Sequence, residues 1–293
     1  MLIDSFLDYL RFERNYSEKT IISYRIDLSQ FEDFVKKIDE ELTIETVDSD
    51  LIRTWEISLM EQSYTTTSVN RKLSSLRSFF KFLLIKGKIT VDPTRKIVGP
   101  KNKKPLPSFL KESEMDKLLD ETDFGKGFAG KRDKMIIEMF YATGMRLSEL
   151  IGLNDVDVDF SASVIKVTGK RNKQRLIPFG EELRGSMLAY INVRDEALPG
   201  KAEAFFVKEN GQRLYSGKVY NLVKKHLSKV VTLKKRSPHV LRHTFATTML
   251  NNDAKLSAVK EILGHSSLSA TEVYTHTTFE ELKKVYKQAH PRA

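Results

Sequence analysis

Apolar residues recur at helical spacing through the first ninety positions of the chain. Ile3, Phe6, Leu7 and Leu10 mark one stripe, and Tyr24, Leu28, Phe31 and Val35 mark a second that starts after Ser17, a residue suited to helix capping. A third helix is expected after Asp48, with Leu51, Ile52, Trp55 and Leu59 on its inner side. The fourth, from about Thr66 to Ile85, carries two faces. Val69, Leu73, Leu76, Phe80 and Leu83 are apolar, whereas Thr67, Arg71, Ser74, Ser78 and Lys81 place hydroxyls between basic heads. That second face, with Arg71, Arg77 and Lys81 as candidates, suits contacts to a nucleic-acid backbone, and a solvated surface would look the same.

From 92 to 107 the periodicity breaks. Pro93, Gly99, Pro100, Pro105 and Pro107 stand among five basic residues between Arg95 and Lys104, which predicts an extended basic linker between a domain at 1–91 and a second at 108–293. Beyond it a helix capped near Ser113 runs through Leu118 and Leu119, and a buried helix from Lys134 stops at Gly144, leaving Arg146 at a helix junction. Residues 164–168 (VIKVT) and 174–178 (QRLIP) alternate like strands around a cationic turn, and Phe205 to Val207 is a candidate third strand. Leu256, Val259, Ile262 and Leu263 form another helix ending at Gly264, so His265 is expected in a turn. Ser269 to Glu272 reads as a capping box that starts a helix bearing Tyr274. A last amphipathic helix from Phe279 carries Leu282, Val285 and Tyr286 on one side. The chain is therefore expected to be mainly α with a small antiparallel sheet: an N-terminal helical domain, then a mixed α/β domain.

Composition narrows the partners. The 293 residues are 40% hydrophobic and 30% charged, as in a globular protein with a proper core, and the formal net charge is +10. Residues 210–252 hold nine Lys or Arg and no Asp or Glu, which points to a phosphate-facing surface; Lys234, Lys235 and Arg236 are candidates within it. With no cysteine, disulfides and thiolate metal sites are excluded. The start, MLIDSFLDYLRFE, is amphipathic with acidic residues rather than a signal peptide, and no apolar run reaches the length of a membrane span. A cytoplasmic, nucleoid-associated protein without membrane insertion is the expectation.

The chemistry gathers between His239 and Tyr274. His239 and Arg242 stand three apart and share a helix face, and the imidazole of His265 precedes the phenol of Tyr274 by nine residues. Two imidazoles, a guanidinium and a phenol can grip a phosphodiester and attack it. A zinc site is the rival reading, since His239 and His243 are four apart, but Val240 stands where a zincin has glutamate and no carboxylate cluster completes a shell. No metal or other cofactor is expected, and His243 is expected in the core or behind the site.

The motifs HVLRHTFAT, LGHSS and VYTH, together with ATGMRLSELIGL around Arg146, resemble the signature of the tyrosine recombinases, the phage-integrase family. The resemblance covers nearly the whole chain. It implies a SAM-like, core-binding helical domain at 1–91 and a catalytic domain at 108–293, closing on a duplex as a C-shaped clamp. It also implies a catalytic set of Arg146, Lys170, His239, Arg242, His265 and the nucleophile Tyr274. Lys170 takes the position of the catalytic lysine, while Arg171, Lys173 and Arg175 are read as backbone-binding; Arg171 stands where glycine is frequent in the family. The implied partner is a double-stranded recombination site, held by a homotetramer or by a heterotetramer with a related recombinase. The ending KVYKQAHPRA is similar to Xer-type members, which implies dimer resolution and a tail, about 279–293, that docks on a neighbouring protomer; burial within its own subunit is the alternative. An integrase or invertase of a mobile element shares the chemistry, as does a type IB topoisomerase, and an architectural DNA-binding protein shares the charge without needing the phenol.

Overall fold

The computed structural model describes residues 2–102, 108–169, 172–198, 200, 203–233, 235–264 and 276–293. They form two compact units, Met1–Pro105 and Leu106–Ala293, each with its own core.

The first unit is helical. It comprises α1 (Leu2–Asp8), which widens into a π turn at Tyr9–Glu13, α2 (Glu18–Ile38), α3 (Ser49–Glu61) and α4 (Thr66–Ile85). Three starts are capped by side chains: Ser17 accepts from Thr20 N, Asp48 from Leu51 N and Thr65 from Ser68 N, each satisfying a donor that the first turn leaves open. The expected apolar stripe of α4 is buried, and Thr67, Arg71, Ser74 and Lys81 are exposed. More of α4 is buried than periodicity predicts. Phe79, Phe82, Lys72 and Ser75 are inside as well, because the helix packs against α1, α2 and α3 at once. Phe31 meets Trp55 edge-on at 4.9 Å between ring centres, which adds directional contact to apolar burial.

This core contains one buried acid. Asp27 accepts from Lys72 Nζ at 3.1 Å and from Arg71, so the carboxylate is paired rather than stranded. Residues 92–102 correct the linker expectation. Asp92 accepts from the Thr94 amide and hydroxyl, Ile97 is buried in the first core, and its carbonyl accepts from Arg77 at 2.9 Å. Asn70 donates to Pro100 O at 2.7 Å. The proline and glycine pattern does mark turns, but Ile97 anchors them to α4; residues 103–107 lie outside the described residues.

The second unit is built around α6 (Gly127–Thr143), whose residues from Met135 to Thr143 are all buried. Before it come α5 (Glu112–Asp116) and a π turn at Lys117–Glu121; after it come α7 (Leu147–Gly152), β1 (Val158–Asp159), β2 (Val164–Thr168) and β3 (Gln174–Pro178). The helices α8 (Glu181–Ala197), α9 (Ser216–Leu227), α10 (Pro238–Asn251), α11 (Leu256–Leu263) and α12 (His276–Ala289) complete it. The sheet is antiparallel in the order β1-β2-β3, and Thr168 pairs with Gln174 at the hairpin end. Both strands of that hairpin stand at the bounds the alternation predicts. The candidate strand at 205–207 does not join the sheet: the segment makes single bridges, Asn154 with Ala204 and Val207 with Arg213, and Phe205 and Phe206 pack on Tyr190. Among the described residues no helix is long and apolar enough to cross a membrane.

In the single chain α12 packs on α10, α11 and β3, with Leu282, Tyr286 and Ala289 buried in the core. His290 follows them in, its ring 5.2 Å from that of Tyr286 and 5.8 Å from that of Phe245. Arg292 closes the contact with ion pairs to Asp116 at 2.9 Å, Glu182 at 2.7 Å and Asp120. Burial lowers the His290 pKa to about 4, although a bond to Tyr141 O opposes the shift. The folded chain therefore binds fewer protons here than the unfolded one between the two pKa values, and stability must fall as pH drops below the ordinary histidine range. Between pH 7.5 and 5 this single group is expected to remove about 2 kcal/mol. Urea denaturation at both pH values checks it, with His290→Phe expected to lose correspondingly less.

Candidate active site

The site begins where α6 stops. Gly144 caps that helix in the left-handed region at φ 58°, and a Cβ there would lie 2.5 Å from Phe245 Cδ1 and 2.8 Å from Leu263 Cδ2. Glycine is thus required for the turn and for the approach of α10 and α11. Arg146 is the N-cap of α7. Its amide donates to Glu149 Oε2 at 2.7 Å and its Nη1 to Glu149 Oε1 at 2.8 Å, a capping arrangement in which the acid three residues on reaches back.

Three guanidinium groups then converge on the end of α11. Arg175 Nε donates to Ile262 O at 2.7 Å, Arg242 Nη2 to Leu263 O at 2.7 Å and Arg146 Nη2 to Gly264 O at 2.8 Å. Those carbonyls belong to a helix end, where they lack intrahelical partners and carry the negative end of the helix dipole. Arg242 Nη1 also donates to Gly144 O at 2.5 Å, which fastens the α6 turn to the same place. The expected pair Arg146 and Arg242 is therefore brought together. Burial, then the neighbouring Arg146 and Arg175, lowers the Arg242 pKa to about 10, which still leaves it charged at neutral pH. Glu149 is fully buried; burial pushes its pKa up, but the Arg175 bond and charge and then Arg146 outweigh it and hold it at about 2.

His239 stands in the first turn of α10, three residues before Arg242. The residue is exposed, yet partial desolvation of its imidazole, followed by the charges of Arg242, His243 and Arg146, lowers its pKa. His243 is exposed, so of the two places expected for it the core is excluded. Gly169 ends β2 against the arginine site: a Cβ on it would lie 3.3 Å from Glu149 Oε1 and 3.8 Å from Arg146 Nη1. Lys170, Arg171, Lys234, His265 and Tyr274, with the capping box at 269–272, lie outside the described residues.

The candidate DNA contacts divide. Lys81, Lys173 and Lys235 are exposed, and Arg71 is half exposed beside Asp27. Arg77 is partly buried on Ile97 O, and Arg236 is partly buried. Arg175 is a correction. It is buried and pairs with Glu149 through Nη1 at 2.6 Å and Nη2 at 2.9 Å, so it is not a backbone contact. Glu149 is not legible as a site residue and Arg175 is legible only as a backbone contact, although both carry a signal of their buried places. Glu149 follows Arg146 at capping-box spacing, and Arg175 shares its strand face with the buried Ile177.

Comparison with known proteins agrees with this architecture. The phage integrase family profile matches residues 108–281, and the phage integrase N-terminal SAM-like domain profile matches residues 3–87. Tyrosine recombinase XerC of Chlorobaculum tepidum is 36% identical over 317 residues, covering 99% of this chain and 94% of that protein. Tyrosine recombinase XerC of Listeria innocua serovar 6a is 39% identical over 293 residues, covering 98% and 97%. The solved structure of XerH site-specific recombinase bound to palindromic difH substrate, a post-cleavage complex, shares the fold with a TM-score of 0.73 at 22% identity, over 92% of this chain and 80% of that one. The chain belongs to the phage integrase family as an Xer-type tyrosine recombinase.

The turn on which the arginines close tolerates no side chain. Gly144→Ala is expected to cost about 2–4 kcal/mol, from left-handed strain plus overlap with Phe245, and the loss is read as a lowered urea midpoint at unchanged slope.

Proposed function

We propose that the chain cuts and rejoins DNA at a specific site through a 3′-phosphotyrosyl link, with Tyr274 as nucleophile. The observation that carries this reading is the convergence of Arg146 and Arg242 at the end of α11, with His239 in the turn before Arg242. Each guanidinium has five N–H donors, more than the carbonyls and Glu149 consume, so both retain donors for the nonbridging oxygens of a phosphodiester. These bonds strengthen as charge grows in the pentacoordinate transition state. His239 and His265 donate further bonds or take the phenol proton. Lys170 protonates the departing 5′ oxygen, since a crowded cationic site favours its neutral form and eases proton transfer. The phenol oxygen forms a bond to phosphorus as the bond to the 5′ oxygen breaks, and a 5′ hydroxyl from another strand reverses the exchange. No nucleotide is consumed because the phosphotyrosine keeps the ester bond.

Three other tyrosines of this unit do not suit the role. Tyr141, Tyr190 and Tyr286 are buried, and burial raises each phenol pKa, to about 12 for Tyr141. The exposed Lys224, Lys225, Lys229 and Lys235 support a phosphate-facing surface in the catalytic domain. The biological task we infer from the Xer-type ending KVYKQAHPRA is resolution of chromosome or plasmid dimers in the nucleoid, by four copies of this chain or of this chain and a related recombinase assembled on DNA.

The experiment is covalent capture. DNA recovered from cells with the protein attached under denaturing conditions is sequenced, which separates a chromosomal site from a mobile-element end, and a nicked duplex of that site is then used in vitro. Wild type is expected to form the adduct equally well in EDTA, and Tyr274→Phe to form none. Replacing Arg146 or Arg242 by Ala is expected to slow adduct formation by about 10²–10³-fold. An adduct that persists in Tyr274→Phe would overturn the assignment.

A further inference from the structure

The buried Arg175 has no part in the chemistry just described, yet from β3 it touches two segments that frame the site, α7 and the end of α11. Its Nη1 and Nη2 hold both oxygens of Glu149, which in turn accepts from the amide and Nη1 of Arg146. Its Nε holds Ile262 O, and a Cβ on Gly264 would come 3.0 Å from its Cδ. It stands in β3, which pairs with β2. We propose that Arg175 is a positioning residue: it locks β3, the first turn of α7 and the last turn of α11 in one register, and orients Arg146 through Glu149. This rests on the reading of Arg146 as a phosphate ligand.

Energetics favour a geometric role. A buried ion pair adds little to folding beyond what apolar packing of equal volume supplies, whereas its fork geometry fixes two partners in a plane. Removing that geometry should spare DNA binding, which is dominated by exposed cations, and impair the chemical step. A misplacement of about 1 Å can cost roughly 10²-fold in rate.

Among the described residues, the charged groups facing Glu149 are Arg146 from its own helix, Arg175 from β3 and Arg242 from α10. In Arg175→Met the bond and charge that oppose burial most are lost, so the Glu149 pKa rises. Adduct formation relative to wild type should then be low where Glu149 is protonated and increase with pH as it ionises, over and above the titration of His239 that both proteins share.

The test compares wild type, Arg175→Lys and Arg175→Met on the nicked duplex carrying the captured site, measuring duplex affinity and single-turnover adduct formation from about pH 5 to 7. Arg175→Lys keeps the charge but cannot hold Glu149 and Ile262 O together. Its affinity is expected within about threefold of wild type and its adduct rate down at least about tenfold. Arg175→Met should also gain the rise with pH, and adding Glu149→Gln should abolish it. Should Arg175→Met fail to fold, the Lys variant decides alone. Adduct formation by Arg175→Lys within about twofold of wild type, or a parallel loss of binding and cleavage, would overturn the inference. A wild type that binds the duplex but makes no adduct would instead sink the functional reading beneath it.

Discussion

A helix that ends inside a protein must find donors for its last carbonyls, and α11 finds them in three guanidinium groups. This one requirement connects the turn after α6, the start of α7, the strand β3 and the helix α10. Each contributes an arginine or a carbonyl to the same few ångströms, so the residues that could grip a phosphate are held by the backbone that precedes His265 in sequence. Placement of the site is thus a by-product of helix termination, and Gly144 and Gly264, both left-handed, are the points at which the chain makes room for it.

The same geometry fixes the charge. Three arginines face one buried carboxylate, Glu149, which leaves the cluster with an excess of about two positive charges. Mutual repulsion is visible in the lowered pKa of Arg242, to which burial, Arg146 and Arg175 contribute in that order. Such a cluster is not at its electrostatic optimum alone. A phosphodiester brings one negative charge, and the developing transition state brings more, so the cluster is better matched to the reacting group than to solvent.

Much of this was readable from residues. The capped helix starts at Ser17, Asp48 and Thr65, the hairpin register, and the stops at Gly144 and Gly264 all follow local rules that depend on a few neighbouring positions. The hydrogen-bonded convergence of Arg146 and Arg242 came from motif order, since 96 residues separate them and no periodicity links them. What sequence could not resolve is which charges turn inward. Arg175 was read with the solvent-facing cations of its hairpin, although it stands at an inward position of the strand, because a buried arginine is favourable only if an acid elsewhere in the chain meets it. Ile97 in a proline-rich stretch and Leu282 and Tyr286 in the tail show the complementary case: isolated apolar residues whose destination is set by a distant core.

The amino-terminal unit uses the same device. Asp27 is buried on α2 and holds Lys72 and the half-exposed Arg71 of α4, the helix whose outer face bears the candidate backbone contacts. A buried acid tethering a surface arginine restricts the rotamers of a long side chain before any ligand arrives, and side-chain ordering is otherwise a cost of about 0.5–1.5 kcal/mol per residue on binding. In both units, then, an interior carboxylate converts a flexible cation into a fixed one. The difference is depth: Arg71 is left nearly half exposed beside Asp27, whereas Arg175 is buried and meets Glu149 with most water already removed.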